Sequence, residues 1–362
     1  MIENKTNSKI NLISLTKEEL VSEMIKIGEK PFRAKQIWNW IYARGAKDFT
    51  VMSNISKEAR EKLNENYFIG RPAISKDLNS FDGTRKWLVK FHDGQEVEAV
   101  FIPEEDRATL CISSQVGCTL TCKFCHTGTQ LLARNLEFHE IVSQLIIAKD
   151  FLEDWDNSKR KITNIVFMGM GEPFYNYENV KKAIEIFNDA EGIDFSRRKI
   201  TVSTSGVVPE LLKFSEEIKT TLAISLHATT DVLRSEIMPL NKKYPLKELM
   251  EACQNYNKIS PSQRITFEYV MLKGVNDSDD DARNLIKLIK KYQLNAIVNI
   301  IPFNPWQGTI YEASSRNRIM DFARVLHSGG VVSPVRKTRG QDVMAACGQL
   351  KSLSQRPKKN FK

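Results

Sequence analysis

The chain has 362 residues, 41% hydrophobic and 27% charged, with a formal net charge of +9. That composition suits a globular protein of one large and one smaller domain, with core enough to need no disulfide staples. The longest apolar runs, such as Ile297–Phe303, are too short to span a bilayer, and the opening MIENKTNSKI has no apolar leader, so a cytoplasmic protein without membrane contact is expected.

Residues 13–70 carry helical signals. Thr16-Lys-Glu-Glu19 reads as a capping box ahead of Leu20, Met24 and Ile25. From Lys30 to Tyr42 the spacing places Ile37, Trp40 and Ile41 on one helical face, and Lys30, Arg33 and Lys35 form either a phosphate-facing or a solvated basic face. At 85–103 the period changes to that of a β-hairpin, Lys86–Phe91 and Val97–Ile102 around Asp93-Gly94. Strands are then predicted near 108–114, 163–168, 198–204, 221–227, 265–272, 296–303 and 331–337. Helices are predicted near 137–150, 177–189, 207–216, 246–257, 277–291 and 314–327. Repeated βα units imply a parallel sheet with right-handed crossovers, either a partial or full barrel or a doubly wound open sheet. The last twelve residues, with five basic groups and no acidic one, read as a disordered basic tail. A basic balance also favours a nucleic-acid partner, because neutralising phosphates releases counterions.

Six cysteines occur, and in a cytosolic protein a cluster of them points to metal or catalysis. Cys118, Cys122 and Cys125 have C-x3-C-x2-C spacing on the loop after the first barrel strand. A closed zinc site usually takes four ligands, and no fourth is local, since His126 is poorly placed. Three thiolates on an iron–sulfur cubane leave one iron open for a chelating substrate. Met168-Gly-Met-Gly-Glu-Pro173 follows the next strand, its glycines allowing close backbone approach and its carboxylate able to accept from an ammonium. Cys253 lies within a helix and reads as packing.

The loop with Phe124 before Cys125 resembles the cluster loop of radical-SAM enzymes, and Gly169, Gly171 and Glu172 resemble that superfamily's Gly-Gly-Glu-Pro element. More closely, Val97–Pro103, Cys111–Cys125, Met168–Pro173, Ser225–His227, Ile300–Asn304 and Arg339–Leu350 resemble the RlmN family of dual-specificity RNA methyltransferases, and less closely the Cfr enzymes. The resemblance implies an α/β fold, a radical-SAM partial (β/α)6 barrel with a small N-terminal helical accessory domain and a β-hairpin extension. Its expected division is 1–75 accessory and RNA-binding, 76–106 hairpin linker, 107–350 barrel core and 351–362 basic tail. It implies a [4Fe–4S] cluster on Cys118, Cys122 and Cys125, and S-adenosylmethionine held by Gly171, Glu172, Ser203, Ser225, Leu226, His227 and Asn304.

The implied reaction is methylation of adenosine C2 in 23S rRNA and tRNA, with two S-adenosylmethionine used per turnover. Cys347 would carry the methyl group, Cys111 would resolve the RNA adduct and leave a disulfide, and Glu98 would accept a proton. A flavodoxin- or ferredoxin-like electron donor and a monomeric chain are also expected. RNA contacts are expected from the accessory domain, the tail and Arg336, Lys337 and Arg339. Two other readings stand beside this one, a Cfr-like C8 methylase and a non-catalytic iron–sulfur or zinc RNA-binding protein. The second of these leaves Cys111 and Cys347 without a purpose.

Overall fold

A computed structural model describes residues 9–352 and 354. Most of the expected basic tail, 353 and 355–362, lies outside the described residues. Three helices open the chain, α1 (Lys17–Lys26), α2 (Phe32–Tyr42) and α3 (Lys57–Asn66). The capping box forms as its residues dictate: Glu19 N–H donates to Thr16 Oγ1, and Thr16 N–H donates to the Glu19 carboxylate at 2.7 Å. On α2 the buried stripe is Ala34, Ile37, Trp38, Ile41 and Tyr42. The expected core residue Trp40 sits off this stripe, half-buried, with its indole N–H on Asn54.

The helical region is pinned to the barrel by charge and by close packing. Lys17 pairs with Asp189 and Glu191 at 2.8 and 2.7 Å, and Asn39 donates to the Glu191 carbonyl. Lys35 also pairs with Glu191, and Arg33 pairs with Glu29. Two of the three cations of this basic face are therefore paired with acids of this chain.

One nine-stranded sheet runs through the rest of the molecule. Three antiparallel strands come first, β1 (Ala73–Asn79), β2 (Arg85–Lys90) and β3 (Glu96–Pro103). Six parallel strands follow: β4 (Ala108–Cys111), β5 (Asn164–Phe167), β6 (Ile200–Thr204), β7 (Thr221–Ser225), β8 (Ile265–Met271) and β9 (Ala296–Pro302). The spatial order is the sequence order from β1 to β9, which is how successive right-handed βα units lay down a barrel wall. The outer helices are α4 (Phe138–Leu152), α5 (Tyr177–Asn188), α6 (Val208–Glu217), α7 (Asp231–Ile237), α8 (Leu246–Ile259), α9 (Asp279–Lys291) and α10 (Arg316–Ser328). Cys253 is fully buried on α8, among the packing residues.

Three details differ from the sequence reading. The expected hairpin β2–β3 gains a third strand, and the boundary expected between residues 75 and 76 falls inside that strand, β1. The short α7, capped by Thr230, was not foreseen. The seventh strand, expected at 331–337, does not form. The segment follows β9, with Val298 and Ile300 donating to the Val332 and Pro334 carbonyls and Arg336 donating back to Ile300. Pro334 has no N–H to return, so only one bridge, Ile300 with Val335, is completed.

Candidate active site

The site grows from the C-terminal ends of the parallel strands, where βα loops converge in barrels. After β4 the chain makes a short antiparallel pair, Gln115–Val116 with Arg134–Asn135, that closes the base of a loop. Inside that loop Cys125 N–H donates to the Cys122 carbonyl and Gly128 N–H to the Cys125 carbonyl, winding the thiols inward. A Cβ on Gly128 would come within 2.5 Å of the Cys122 carbonyl oxygen, so only glycine permits this turn. Gly171, with φ +103, brings its loop against Gln115, where a Cβ would meet the side chain at 2.6 Å.

These loops enclose an open cavity of about 970 Å³. Cys118, Cys122, Cys125, Gly169, Gly171, Glu172, Ser203, Ser225, His227 and Cys347 all line it. Burial pushes the Cys118 thiol up to about 12, with Cys125 and Glu172 adding to the effect. Burial also raises Cys122 and Cys125, and for Cys122 the two neighbouring thiols add to it. Three thiols kept neutral by burial and by one another suit a cationic centre, which would draw off their protons. No three His, Cys, Asp or Glu side chains among the described residues close on a single ion, and a cubane that places each thiolate on its own iron does not require them to. The donor set therefore fits the cluster.

Glu172 is buried, and its carboxylate accepts from Thr204 Oγ1 at 2.7 Å, Ser205 N–H at 2.8 Å and Phe174 N–H at 3.1 Å. His227 holds a left-handed backbone, φ 56, and its Nδ1 accepts from Val270 N–H at 3.1 Å. That bond assigns the ring proton to Nε2. Burial first, then Arg234, depresses its pKa to about 3, so the ring is neutral. Ser203 and Ser225 line the same cavity as Glu172 and His227. Leu226 does not reach the cavity: its side chain is fully buried, its N–H donates to Glu268 and its carbonyl accepts from Ala228 and Arg234.

Cys347 approaches from the C-terminal segment, which crosses the barrel's open side. Its carbonyl accepts from Asn304 Nδ2, the Gly348 carbonyl from His126 N–H and the Leu350 carbonyl from Thr127 Oγ1. The His126 ring stacks on Trp306 with centroids 4.7 Å apart, so this histidine clamps the segment. Asn304, expected to touch cofactor, instead lines a second cavity and orients Cys347. That second cavity, about 1960 Å³, is the barrel lumen, lined by polar groups such as Thr109, Asn164, Thr201 and Thr266. It meets the first at Met168, Glu268, Ile301, Arg336 and Cys347.

Behind Cys347, Cys111 ends β4 almost fully buried. Burial pushes its thiol up to about 12, Cys347 adds to this, and Arg336 opposes it. Glu98 lines neither cavity. The sequence allowed an exposed carboxylate, but the side chain is buried and paired with Lys86 at 2.9 Å, and it accepts from Lys351 N–H at 3.1 Å. Burial raises its pKa against the pull of Lys86. Sequence reasoning missed Glu268 and Asn299. The signal was a lone carboxylate within the apolar run Ile265–Met271.

A cluster loop of three cysteines at the top of a six-stranded parallel barrel defines a radical SAM enzyme, and the Radical SAM superfamily matches residues 112–286. The Ribosomal RNA large subunit methyltransferase N-terminal domain matches residues 10–69. A dual-specificity RNA methyltransferase RlmN of Paramagnetospirillum magneticum is 55% identical over 97% of this chain and 77% of that relative. The protein of the same name from Gluconobacter oxydans is 53% identical over 97% of this chain and 87% of its own length. A radical SAM methyltransferase from Sphaerobacter thermophilus superposes with TM-score 0.88 at 40% identity, over 94% of this chain and 99% of that one. The chain belongs to the RlmN family.

Proposed function

We propose that this chain methylates C2 of adenosine in 23S rRNA and in tRNA, with Cys347 as the methyl carrier. One observation supports this above the others: Cys347 lines the same cavity as Cys118, Cys122 and Cys125, with Cys111 close behind it. Cys118, Cys122 and Cys125 would hold a [4Fe–4S] cluster, and Gly171, Glu172, Ser203, Ser225 and His227 would hold S-adenosylmethionine beside it. When bound, cluster and S-adenosylmethionine supply the radical chemistry that removes a hydrogen atom from a methyl group.

The chain's own residues account for the other steps. Adenine C2 is electron-poor and does not attack a sulfonium methyl, whereas a thiolate does. Cys347 Sγ takes the methyl group by direct displacement and then tethers the activated carbon to C2. The adduct then gives up the C2 proton and its unpaired electron, which the cluster would take back. Attack of Cys111 on Cys347 Sγ breaks the carbon–sulfur bond, the freed carbon takes a proton to become the methyl group, and the two sulfurs are joined. Two electrons from outside then reopen that disulfide. Glu98 lies away from both cavities, so the proton falls to Cys111 more readily than to Glu98. The target base must leave its stack to reach Cys347. A flavodoxin- or ferredoxin-like protein would reduce the cluster, and the enzyme would work as a cytoplasmic monomer. Among the described residues no helix is long and apolar enough to cross a membrane.

The test is stoichiometry. Reconstituted enzyme with reductant, S-adenosylmethionine and a 23S rRNA fragment or tRNA should yield one S-adenosylhomocysteine and one 5′-deoxyadenosine per 2-methyladenosine. Formation of 8-methyladenosine would instead assign the Cfr-like reaction.

A further inference from the structure

Where the cofactor cavity meets the lumen stand two charged side chains that no step assigned to the thiols uses. Glu268, in the middle of β8, is 4% exposed and lines both cavities. Among the described residues its carboxylate accepts hydrogen bonds from Asn299 Nδ2 alone, which reaches the two oxygens at 3.1 and 2.9 Å. Arg336 lines both cavities too, and its Nη1 stands 3.8 Å from Glu268 Oε2, beyond hydrogen-bond distance. Among the described residues the Arg336 guanidinium donates no hydrogen bond. A carboxylate with lone pairs to spare and a guanidinium with its N–H groups unfilled thus share one space. Glu268 is buried, and buried polar groups are normally satisfied, so its spare lone pairs point to a ligand; Arg336, its side chain 26% exposed, offers free donors in the same space.

Their order relative to Cys347 narrows the ligand's chemistry. Arg336 belongs to the C-terminal segment that carries Cys347 and lines both cavities with it, whereas Glu268 stands across the space on β8. Cys347 and Cys111 also act on the guanidinium. A donor fork beside the reacting sulfur, with an acceptor further off, matches one edge of one base. In adenine, ring N1 accepts and the amino group on C6 donates. C2 neighbours N1, so a base held by that edge turns C2 toward Cys347.

We propose that Arg336 and Glu268 read the target adenine, Arg336 donating to N1 and Glu268 accepting from the 6-amino group. The inference rests on the reading of this chain as an adenine-C2 methyltransferase and adds to it the groups that select the base. Guanine reverses both polarities, setting N1–H against the guanidinium and O6 against the carboxylate. A buried site rejects such a mismatch by leaving its own polar groups unpaired. Met168 and Ile301 add apolar surface to the wall shared by the two cavities. A cation hydrogen-bonded to N1 also stabilises the electron density that enters the ring as carbon adds to C2.

The test uses cluster-loaded enzyme and an RNA fragment carrying either adenosine or purine riboside at the target position, the latter lacking only the 6-amino group. With wild-type enzyme kcat/KM should fall roughly 10- to 100-fold for purine riboside. In Glu268→Leu both substrates should be slow and should agree within about threefold. S-methylation of Cys347, which needs no RNA base, reports that this variant is folded and loaded. Glu268→Gln keeps an acceptor without the charge, so its preference should fall between the two, and it carries the comparison where Glu268→Leu fails the S-methylation control. A merely structural role lowers both rates and leaves their ratio alone. An unchanged ratio in the Glu268 variants, or a wild-type enzyme that does not distinguish the substrates, overturns the proposal. No 2-methyladenosine from wild-type enzyme and the adenosine substrate overturns the reading on which it rests.

Discussion

Cys347 and Cys111 carry different loads, and their substitutions should fail differently. Cys347→Ala should retain iron and sulfide yet form no methylated RNA, measured by metal analysis and nucleoside mass spectrometry. Cys111→Ala should accumulate a covalent protein–RNA adduct, seen as a nuclease-sensitive shift on a denaturing gel, and free turnover by this variant would remove its resolving role. His227 gives a pH signature. Its pKa is depressed to about 3 in the folded chain, whereas the unfolded chain takes up the proton near 6.5. Protonation therefore favours unfolding, and stability should fall as pH drops below about 6.5, by up to ~1.4 kcal/mol per pH unit. His227→Gln should flatten the urea-unfolding profile between about pH 6.5 and 4.5 relative to wild type, and parallel profiles would contradict a buried neutral ring. The three-cysteine loop was legible from its spacing, whereas Cys111 and Cys347 stood out only through the resemblance of their segments to a known family. Glu98 was not, because its burial comes from Lys86 and from the C-terminal segment, residues remote along the chain.

At the scale of elements, local rules read well where local chemistry decides. The capping box at Thr16, the β2–β3 hairpin and six βα units follow from periodicity and turn residues within one window. Thr16→Ala should cost about 1 kcal/mol by denaturant melting. Where a partner element decides, the sequence is silent. Strand β1 is mostly exposed along its length and forms because β2 offers it an edge. The 331–337 segment has strand-like residues but lies along β9 with Pro334 in its ladder. The joint between the helical region and the barrel is likewise tertiary. Gly45, with φ +70, lets the Trp155 ring pass so close that a Cβ would meet it at 2.3 Å. Gly45→Ala should therefore lower stability by about 1–3 kcal/mol, and an unchanged midpoint would mean the joint yields freely.

The whole molecule brings the cluster loop, the C-terminal segment and the lumen to a single sulfur. Cys347 borders both cavities, tied by Asn304 on one side and His126 on the other. Cofactor chemistry can thus reach it from the strand ends while Cys111 waits on β4. The sequence named these residues but could not show that one sulfur joins two cavities, since that depends on how the C-terminal segment closes the barrel's open side. The most direct test is mass spectrometry of nucleosides from 23S rRNA and tRNA of cells with and without this protein. The account predicts that 2-methyladenosine disappears on deletion, returns with the wild-type chain and does not return with Cys347→Ala. Unchanged 2-methyladenosine on deletion, or rescue by Cys347→Ala, would contradict it.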